Sequence, residues 1–433
     1  MSEGVSIWGT GSAGRRIYAY LKIRTEIVCF YDSDESKIGT LIEGVPVKKW
    51  EPADSSSFIV IASSYYKEII PLLVEEGLEI FKDFTLYQFI ENPYYIEYSL
   101  LYSVQQCMGG WNDKDWIRYK SDKKMVVIHG GCHAEALGNL LASHTQFRER
   151  YKVVIAPHIM SMLLNQPKII MEIAEHYIEN EFFWNATDIF FYQLSHIWPG
   201  LIDPKTLLPK LSEDCKRYAL SPLEFLGYFS QCREQIYKIA TSYTDVNLAY
   251  LPSFSDRYIE KFYRQGKTVE EINAIINDLE FLPSDEVLEF FRVAISLLQT
   301  AEDDADVKIY DYIEAHGRER QLFYDPSHPA PEVLLEYAGR IVRLLIPECE
   351  PLSQDGYYRD FHNMYPAVPQ TFVYPCVRKA LGLKSYYKRA GITSPNIAPV
   401  KFLTNDEYIR EYVRILAYNE KQEEKKVKGN RNG

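Results

Sequence analysis

Much that would place this chain quickly is missing from it. No run of about 18 apolar residues occurs, the minimum for a helix that crosses a bilayer, so no membrane span is expected. The opening residues carry no apolar core of the kind a secretion signal needs, and a cytoplasmic location is expected. The seven cysteines stand singly, as Cys29, Cys107, Cys132, Cys215, Cys232, Cys349 and Cys376, and none forms a C-x-x-C pair. An odd, scattered set fits free thiols in a reducing compartment rather than a disulfide framework. Positive charge is not in surplus either: 48 Lys and Arg face 60 Asp and Glu, a net charge of −12. That excludes broad contact with nucleic acid, though a local basic pocket remains compatible with it. No internal repeat is visible.

What is present is the composition of an ordinary globular protein, with 46% hydrophobic and 25% charged residues. Its 433 residues suffice for two or three domains with sizeable cores. "VSIWGTGSAGRRIYAYL" reads as strand, glycine turn and helix. "EIVCFYDSD" and "SFIVIASS" read as further strands, and "YYKEIIPLLVEEGL" as an amphipathic helix. Strands alternating with helices imply a parallel sheet. This first α/β unit, Rossmann-like and small, is expected over residues 1–90, followed by an irregular aromatic connection over 91–122.

A second α/β pattern opens with "KKMVVIHGG" and continues with "YKVVIAP" and "ATDIFFYQ". From about 205 to 320 the apolar spacing is mostly helical. The second domain is therefore expected to be helix-rich α/β, over 123–385. A C-terminal extension, 386–433, ends in "NEKQEEKKVKGNRNG", whose charge and lack of apolar residues predict disorder.

Two places carry chemistry. The first is G-x-G-x-x-G at Gly9, Gly11 and Gly14, after a strand and before a helix, with Asp32 about 20 residues on to take a ribose hydroxyl. Together with the D-S-D-x-x-K-I-G pattern from Asp32, it resembles small Rossmann-like domains attached to sugar-modifying enzymes. Such domains take a nucleotide or nucleotide-sugar, or are structural.

The second is "HGGCHAEAL", where Cys132 falls at the start of a helix. Unpaired N–H groups and the helix dipole there favour a thiolate. A thiol nucleophile needs a base and a group that orients the base. The turn "FYDPSHPAP" offers Asp325 to hold Nδ1 of His328, leaving Nε2 to act as base. A nucleophile after the first strand, Gln193 ending the third and D-x-x-H near the end resemble SGNH-type esterases and acyltransferases, with cysteine in place of serine. The backbone N–H groups of Gly131 and Cys132, with the Gln193 amide, are candidates for an oxyanion hole. A zinc reading competes, since His129, Cys132, His133, Asp325 and His328 supply suitable ligand types. But residues 129, 132 and 133 straddle strand, turn and helix start, so no metal is expected.

Residues from about 124 to 384 resemble the WcbI family of capsular polysaccharide biosynthesis proteins. The motifs that carry the resemblance are "GGCHAEAL", "DIFFYQ", "SPLEFLGYF", "GKTVEEI", "DADVKIYDYI", "LFYDPSHPAPEVL" and "YPCVRKALGL", in that order. The family usually has G-N-C-Q around the cysteine; this chain has Gly130-Gly131-Cys132-His133, and His133 stands where the Gln donor would be. The resemblance implies a coenzyme A site and acetyl transfer from acetyl-CoA onto a sugar or polysaccharide precursor. The catalytic residues would be Cys132, His328 and Asp325, and Arg217, Arg257 and Lys261 are candidates to hold the coenzyme's phosphates. Two alternatives stay open: an esterase or deacetylase using the same residues, and a non-catalytic component of an assembly complex that binds coenzyme A or a nucleotide-sugar.

Overall fold

The computed structural model describes residues 4–52, 57–91, 95–108, 123–156, 167–194, 203–235, 254–349, 370–387, 390–392 and 401–430. The chain divides into two compact units. Met1–Phe190 with Trp198–Arg217 form the first, and Phe191–Ile197 with Tyr218–Gly433 the second.

The first unit begins with β1 (Val5–Trp8), α1 (Ser12–Leu21) and β2 (Ile27–Tyr31). Helix α1 buries Gly14, Ile17, Tyr18 and Leu21, the i, i+3, i+4, i+7 stripe its sequence shows. Next come β3 (Leu41–Ile42), β4 (Val45–Lys48), β5 (Phe58–Ile61), α2 (Tyr66–Glu75) and β6 (Phe84–Leu86). The sheet order is β3-β4-β2-β1-β5-β6. β1 runs parallel to β2 on one side and to β5 on the other, so the strand order switches direction at β1. Such a switch point leaves a crevice beyond the strand ends. Gly9 follows β1 directly. Its φ is +122°, and a Cβ there would come within 2.5 Å of the Ala62 carbonyl oxygen that follows β5. Gly14 is needed for a different reason: its Cβ would lie 1.8 Å from the Gly9 carbonyl oxygen.

The second sheet lies partly in the expected connection. β7 (Tyr95–Glu97) pairs parallel with β9 (Tyr151–Ile155), and α3 (Tyr98–Cys107) follows it. The stretch read as linker thus supplies an edge strand; its "GGWNDKDW" part lies outside the described residues. β8 (Lys124–His129) also pairs parallel with β9. The order is β11-β10-β8-β9-β7, with β10 at Ile189–Gln193 and β11 at Lys216–Leu220. β8 is central, with β9 on one side and β10 on the other. Helix α4 (Cys132–Ser143) connects β8 to β9's side, and Gly138 lets it approach Ile155 closely.

The second unit departs from the mostly helical reading of 205–320. β12 (Cys232–Gln235) and β13 (Phe254–Asp256) form an antiparallel pair before the first of its helices named here, α5 (Arg257–Arg264). The helical stretch expected from Asp256 onward breaks at Gly266, whose φ of +73° ends α5, and Thr268 opens the next helix with a capping box. α6 (Ser284–Ala301) and α7 (Pro331–Leu345) carry long apolar stripes. α6 packs against α8 (Pro375–Leu381). The last helix, α9 (Asn405–Asn430), runs through the charged stretch expected to be disordered. Glu, Lys and Gln are good helix formers, so charge alone does not prevent a helix. Among the described residues no helix is long and apolar enough to cross a membrane.

Gly14→Ala tests the first turn. In an open helix the change would stabilise by about 1 kcal/mol. Here the added Cβ meets backbone, and a loss of about 1–3 kcal/mol is expected. Denaturant unfolding followed by Trp8 fluorescence measures it; an equal or higher midpoint would refute the close approach.

Candidate active site

Cys132 is the first residue of α4. Gly131 is its N-cap, with φ −74° and ψ −152°, and no side chain caps the helix. That backbone is extended and open to any residue. Gly131 therefore supplies no left-handed turn, contrary to the usual reason for glycine before a helix. Ala134 N donates to the Gly131 carbonyl at 3.0 Å, closing the first turn. His133 is buried at 5% exposure. His129, at the end of β8, stacks on Tyr177 with ring centroids 6.0 Å apart, and its Nδ1 lies 3.4 Å from the Tyr177 hydroxyl. His129 thus belongs to an aromatic cluster with Phe190 and Trp184. Among the described residues no group of three His, Cys, Asp or Glu gathers as a metal site would require.

Asp325 and His328 meet in the second unit. Phe323–Asp325 (β14) and His328–Pro329 (β15) form a tight antiparallel hairpin in which Asp325 pairs with His328. Pro326 fixes φ at the first turn position, and Ser327 N donates to Asp325 Oδ1 at 2.9 Å, an Asx turn. His328 Nδ1 lies 2.8 Å from both Oδ1 and Oδ2. Asp325 has no solvent exposure, and His328 retains 14%. A carboxylate on Nδ1 selects the tautomer with the lone pair on Nε2. The surrounding chain holds the hairpin from two sides: Phe225 N donates to the Pro326 carbonyl at 2.8 Å, and Thr371 N to the Tyr324 carbonyl at 2.7 Å. Cys132 belongs to the first unit and this pair to the second.

Other expected residues fall elsewhere. Gln193 is buried, and its Nε2 donates to the Pro222 carbonyl at 2.7 Å, so part of its amide anchors the chain entering "SPLEFLGYF". Arg217 lies on β11 and donates to the Leu211 and Ser212 carbonyls at 3.4 and 3.3 Å. Arg257 and Lys261 share a groove on α5 with Arg264, which the sequence reading missed. In the first unit Asp32 accepts from Thr10 N at 3.3 Å, from the Thr10 hydroxyl and from Lys37 at 3.3 Å. Burial opposes ionisation there, but the bonds from Thr10, the Asp34 amide and Lys37 hold the carboxyl below its ordinary value. The acid expected to take a ribose hydroxyl is therefore already bonded to its own glycine turn.

Burial raises the thiol pKa of Cys107, of Cys376 and of Cys215, the last to about 11. Cys232 is pushed well up by burial and by the neighbouring carboxylates Asp256 and Asp325. These four thiols are held in the unreactive form.

A parallel sheet with a strand–glycine–helix turn at its central strand, followed by a helix-rich part holding a buried Asp–His pair, defines a mixed α/β protein. Residues 125–348 match the family model described as polysaccharide biosynthesis enzyme WcbI, and the chain belongs to that family. The match starts beside the expected boundary at 124 and takes in Cys132, Gln193, Arg257, Asp325 and His328, while "YPCVRKALGL" lies beyond it. No curated protein matches the chain. One solved structure is described as WcbI, a novel polysaccharide biosynthesis enzyme, native and without a disulfide bond between coenzyme A and a cysteine. It is 18% identical over 67% of this chain and 89% of that one, with a TM-score of 0.46.

One buried acid was not foreseen. Asp256 is 3% exposed, caps α5 through Tyr258 N and Ile259 N at 3.0 Å each, and accepts from the Tyr374 hydroxyl at 2.8 and 2.7 Å. Burial raises its carboxyl from 3.8 to about 6, against the lowering effect of those bonds. The native state thus binds its proton more readily than the unfolded one. Its contribution to stability is complete below about pH 3.8 and is lost as pH rises to about 6. Asp256→Asn cannot ionise, so the stability of the wild type relative to the variant should fall across that window, by about 3 kcal/mol at most. Denaturant unfolding at pH 4.5 and pH 7 measures this; parallel profiles for the two proteins would contradict the shift.

Proposed function

We propose that this chain transfers an acyl group, best read as acetyl, from acyl-coenzyme A to a sugar hydroxyl in surface polysaccharide biosynthesis. Cys132 is the nucleophile, His328 the base and Asp325 the group that orients it. The observation that carries the reading is the Asp325–His328 pair: a fully buried carboxylate bonded to Nδ1, in a family of polysaccharide biosynthesis enzymes. Buried carboxylates that hold an imidazole by Nδ1 are the orienting element of nucleophilic catalysis. A second support is the place of Cys132 at the head of α4, beyond the central strand of its sheet. Backbone N–H groups at a helix start favour the thiolate there, and four of the other thiols are held protonated.

In this reading His328 takes the thiol proton as the sulfur attacks the acyl carbonyl. The coenzyme's thiolate leaves and receives that proton. His328 then takes the proton of the sugar hydroxyl, whose oxygen displaces Cys132 and restores the thiol. Thioester exchange is nearly thermoneutral, so the protein's main work is positioning the hydroxyl and excluding water.

Acetyl-CoA mixed with the intact protein should leave one acetyl group on Cys132 by mass spectrometry, absent in Cys132→Ala. His328→Ala should slow release of the coenzyme thiol by about 10²–10⁴. Release that continues without any sugar would make water the acceptor and the protein a hydrolase. Release no faster in the wild type than in either variant would remove both readings.

A further inference from the structure

We infer that Asp256 is a positioning residue for His328: it braces the Asp325–His328 hairpin through the segment Thr371–Tyr374, and it faces the same pair electrostatically across the thiol of Cys232. The inference rests on the reading of His328 as the base. Asp256 itself bonds neither His328 nor Asp325, so it acts through the residues that lie between them.

The mechanical link runs through residues 370–374. They lie outside helix and strand, so bonds to other parts of the unit set their place. Thr371 N donates to the Tyr324 carbonyl at 2.7 Å, one residue before Asp325. The next carbonyl, that of Phe372, accepts from Gln231 Nε2 at 2.6 Å, and the Gln231 carbonyl accepts from Arg257 N at 3.0 Å. Two residues further on, the Tyr374 hydroxyl donates to both oxygens of Asp256 at 2.8 and 2.7 Å. Phe372, Val373 and Tyr374 are all buried. Close-packed interiors transmit strain rather than absorb it. A segment of four residues thus joins the hairpin of the base to the carboxylate of Asp256. A catalytic group must be held within about 0.5 Å of its working place, so the anchoring of this segment bears on the His328 ring.

The electrostatic link runs through Cys232. It stands directly opposite Asp256 where β12 pairs with β13. After burial, the carboxylates of Asp256 and Asp325 are what push its thiol up, so the sulfur lies within reach of both. The groups that face Asp256 are Cys232 from β12, Tyr374 ahead of α8, Tyr408 and Tyr412 from α9, and Glu260 on its own helix. Arg257, beside it, donates instead to the Tyr258 hydroxyl at 2.9 Å. Among the described residues no cation pairs with Asp256. Hydrogen bonds answer its charge, and a charge without a counter-ion acts further through a low-dielectric interior. Its carboxyl gives up the proton at about pH 6. Above that pH a second negative charge faces the Asp325–His328 pair, and nearby negative charge favours the imidazolium. The two protonations are therefore linked.

The test is an NMR titration of the full chain carrying ¹³C-labelled histidine, with the His328 signal identified as the one absent from His328→Ala. In the wild type the His328 shift should follow pH in two steps, one of them near pH 6, where Asp256 ionises. Asp256→Asn should remove that step and lower the His328 midpoint by about one pH unit. Tyr374→Phe takes a donor from the carboxylate and makes it hold its proton longer, so His328 should move the same way by less. This second variant, with the wild-type curve, carries the test if Asp256→Asn does not fold. A merely structural Asp256 would cost stability and leave the His328 midpoint where it was. The same one-step curve in all three proteins would overturn the inference. No substrate is needed, so the acyl-transfer reading fails separately: a shifted His328 with no acetyl group on Cys132 would keep the brace and remove that reading.

Discussion

A carboxylate withdrawn from water must be given hydrogen bonds by the protein, because an unpaired buried charge costs several kcal/mol. Among the described residues three acids are buried, Asp256, Glu302 and Asp325, and all lie in the second unit. Each gathers its surroundings. Glu302 accepts from the Ser221 hydroxyl at 2.5 Å and from the Ile309 and Tyr310 amides, tying the start of "SPLEFLGYF" to the end of α6. Asp256 fixes the start of α5. Asp325 fixes the imidazole of His328. The requirement that these groups be satisfied thus sets the start of the helix that carries Arg257, Lys261 and Arg264 and the orientation of the His328 ring.

The first unit is organised by a different device, used twice. β1 and β8 are each central in their sheets, and each ends in a glycine-bearing turn that opens a helix. At β1 the glycines are demanded by close backbone contact and positive φ, and the acid across the turn is engaged with Thr10. At β8 the N-cap is ordinary extended backbone, and a cysteine heads the helix instead. The same geometry engages an acid with its own turn in one place and sets Cys132 at the helix start in the other.

The central strands and their turns were legible because β-branched runs and glycine stand side by side in the chain. The Asp325–His328 pair was legible for the same reason: D-x-x-H closes over four residues. What escaped notice depends on distant partners. β7 and β11 are short, and their strand character comes from pairing within the sheet rather than from apolar alternation. Asp256 stands where an N-cap signal is expected, but its weight comes from Tyr374, 118 residues away. Arg264 continues the spacing of Arg257 and Lys261 and needed only one more turn of helix to be read. In the tail, charge argued for disorder, while the helix propensity of Glu, Lys and Gln argued the other way.

The central claim is that Cys132 acts as a thiolate with His328 as its base. Peptide-resolved alkylation by iodoacetamide across pH tests it in the wild type and in His328→Ala. The account predicts that Cys132 labels fastest of the seven thiols, with an apparent pKa below the ordinary value of about 8.5. It also predicts that the apparent pKa rises in His328→Ala while labelling of Cys215 and Cys232 is unchanged. A Cys132 that labels no faster than Cys215 or Cys232, with the same profile in both proteins, would contradict it.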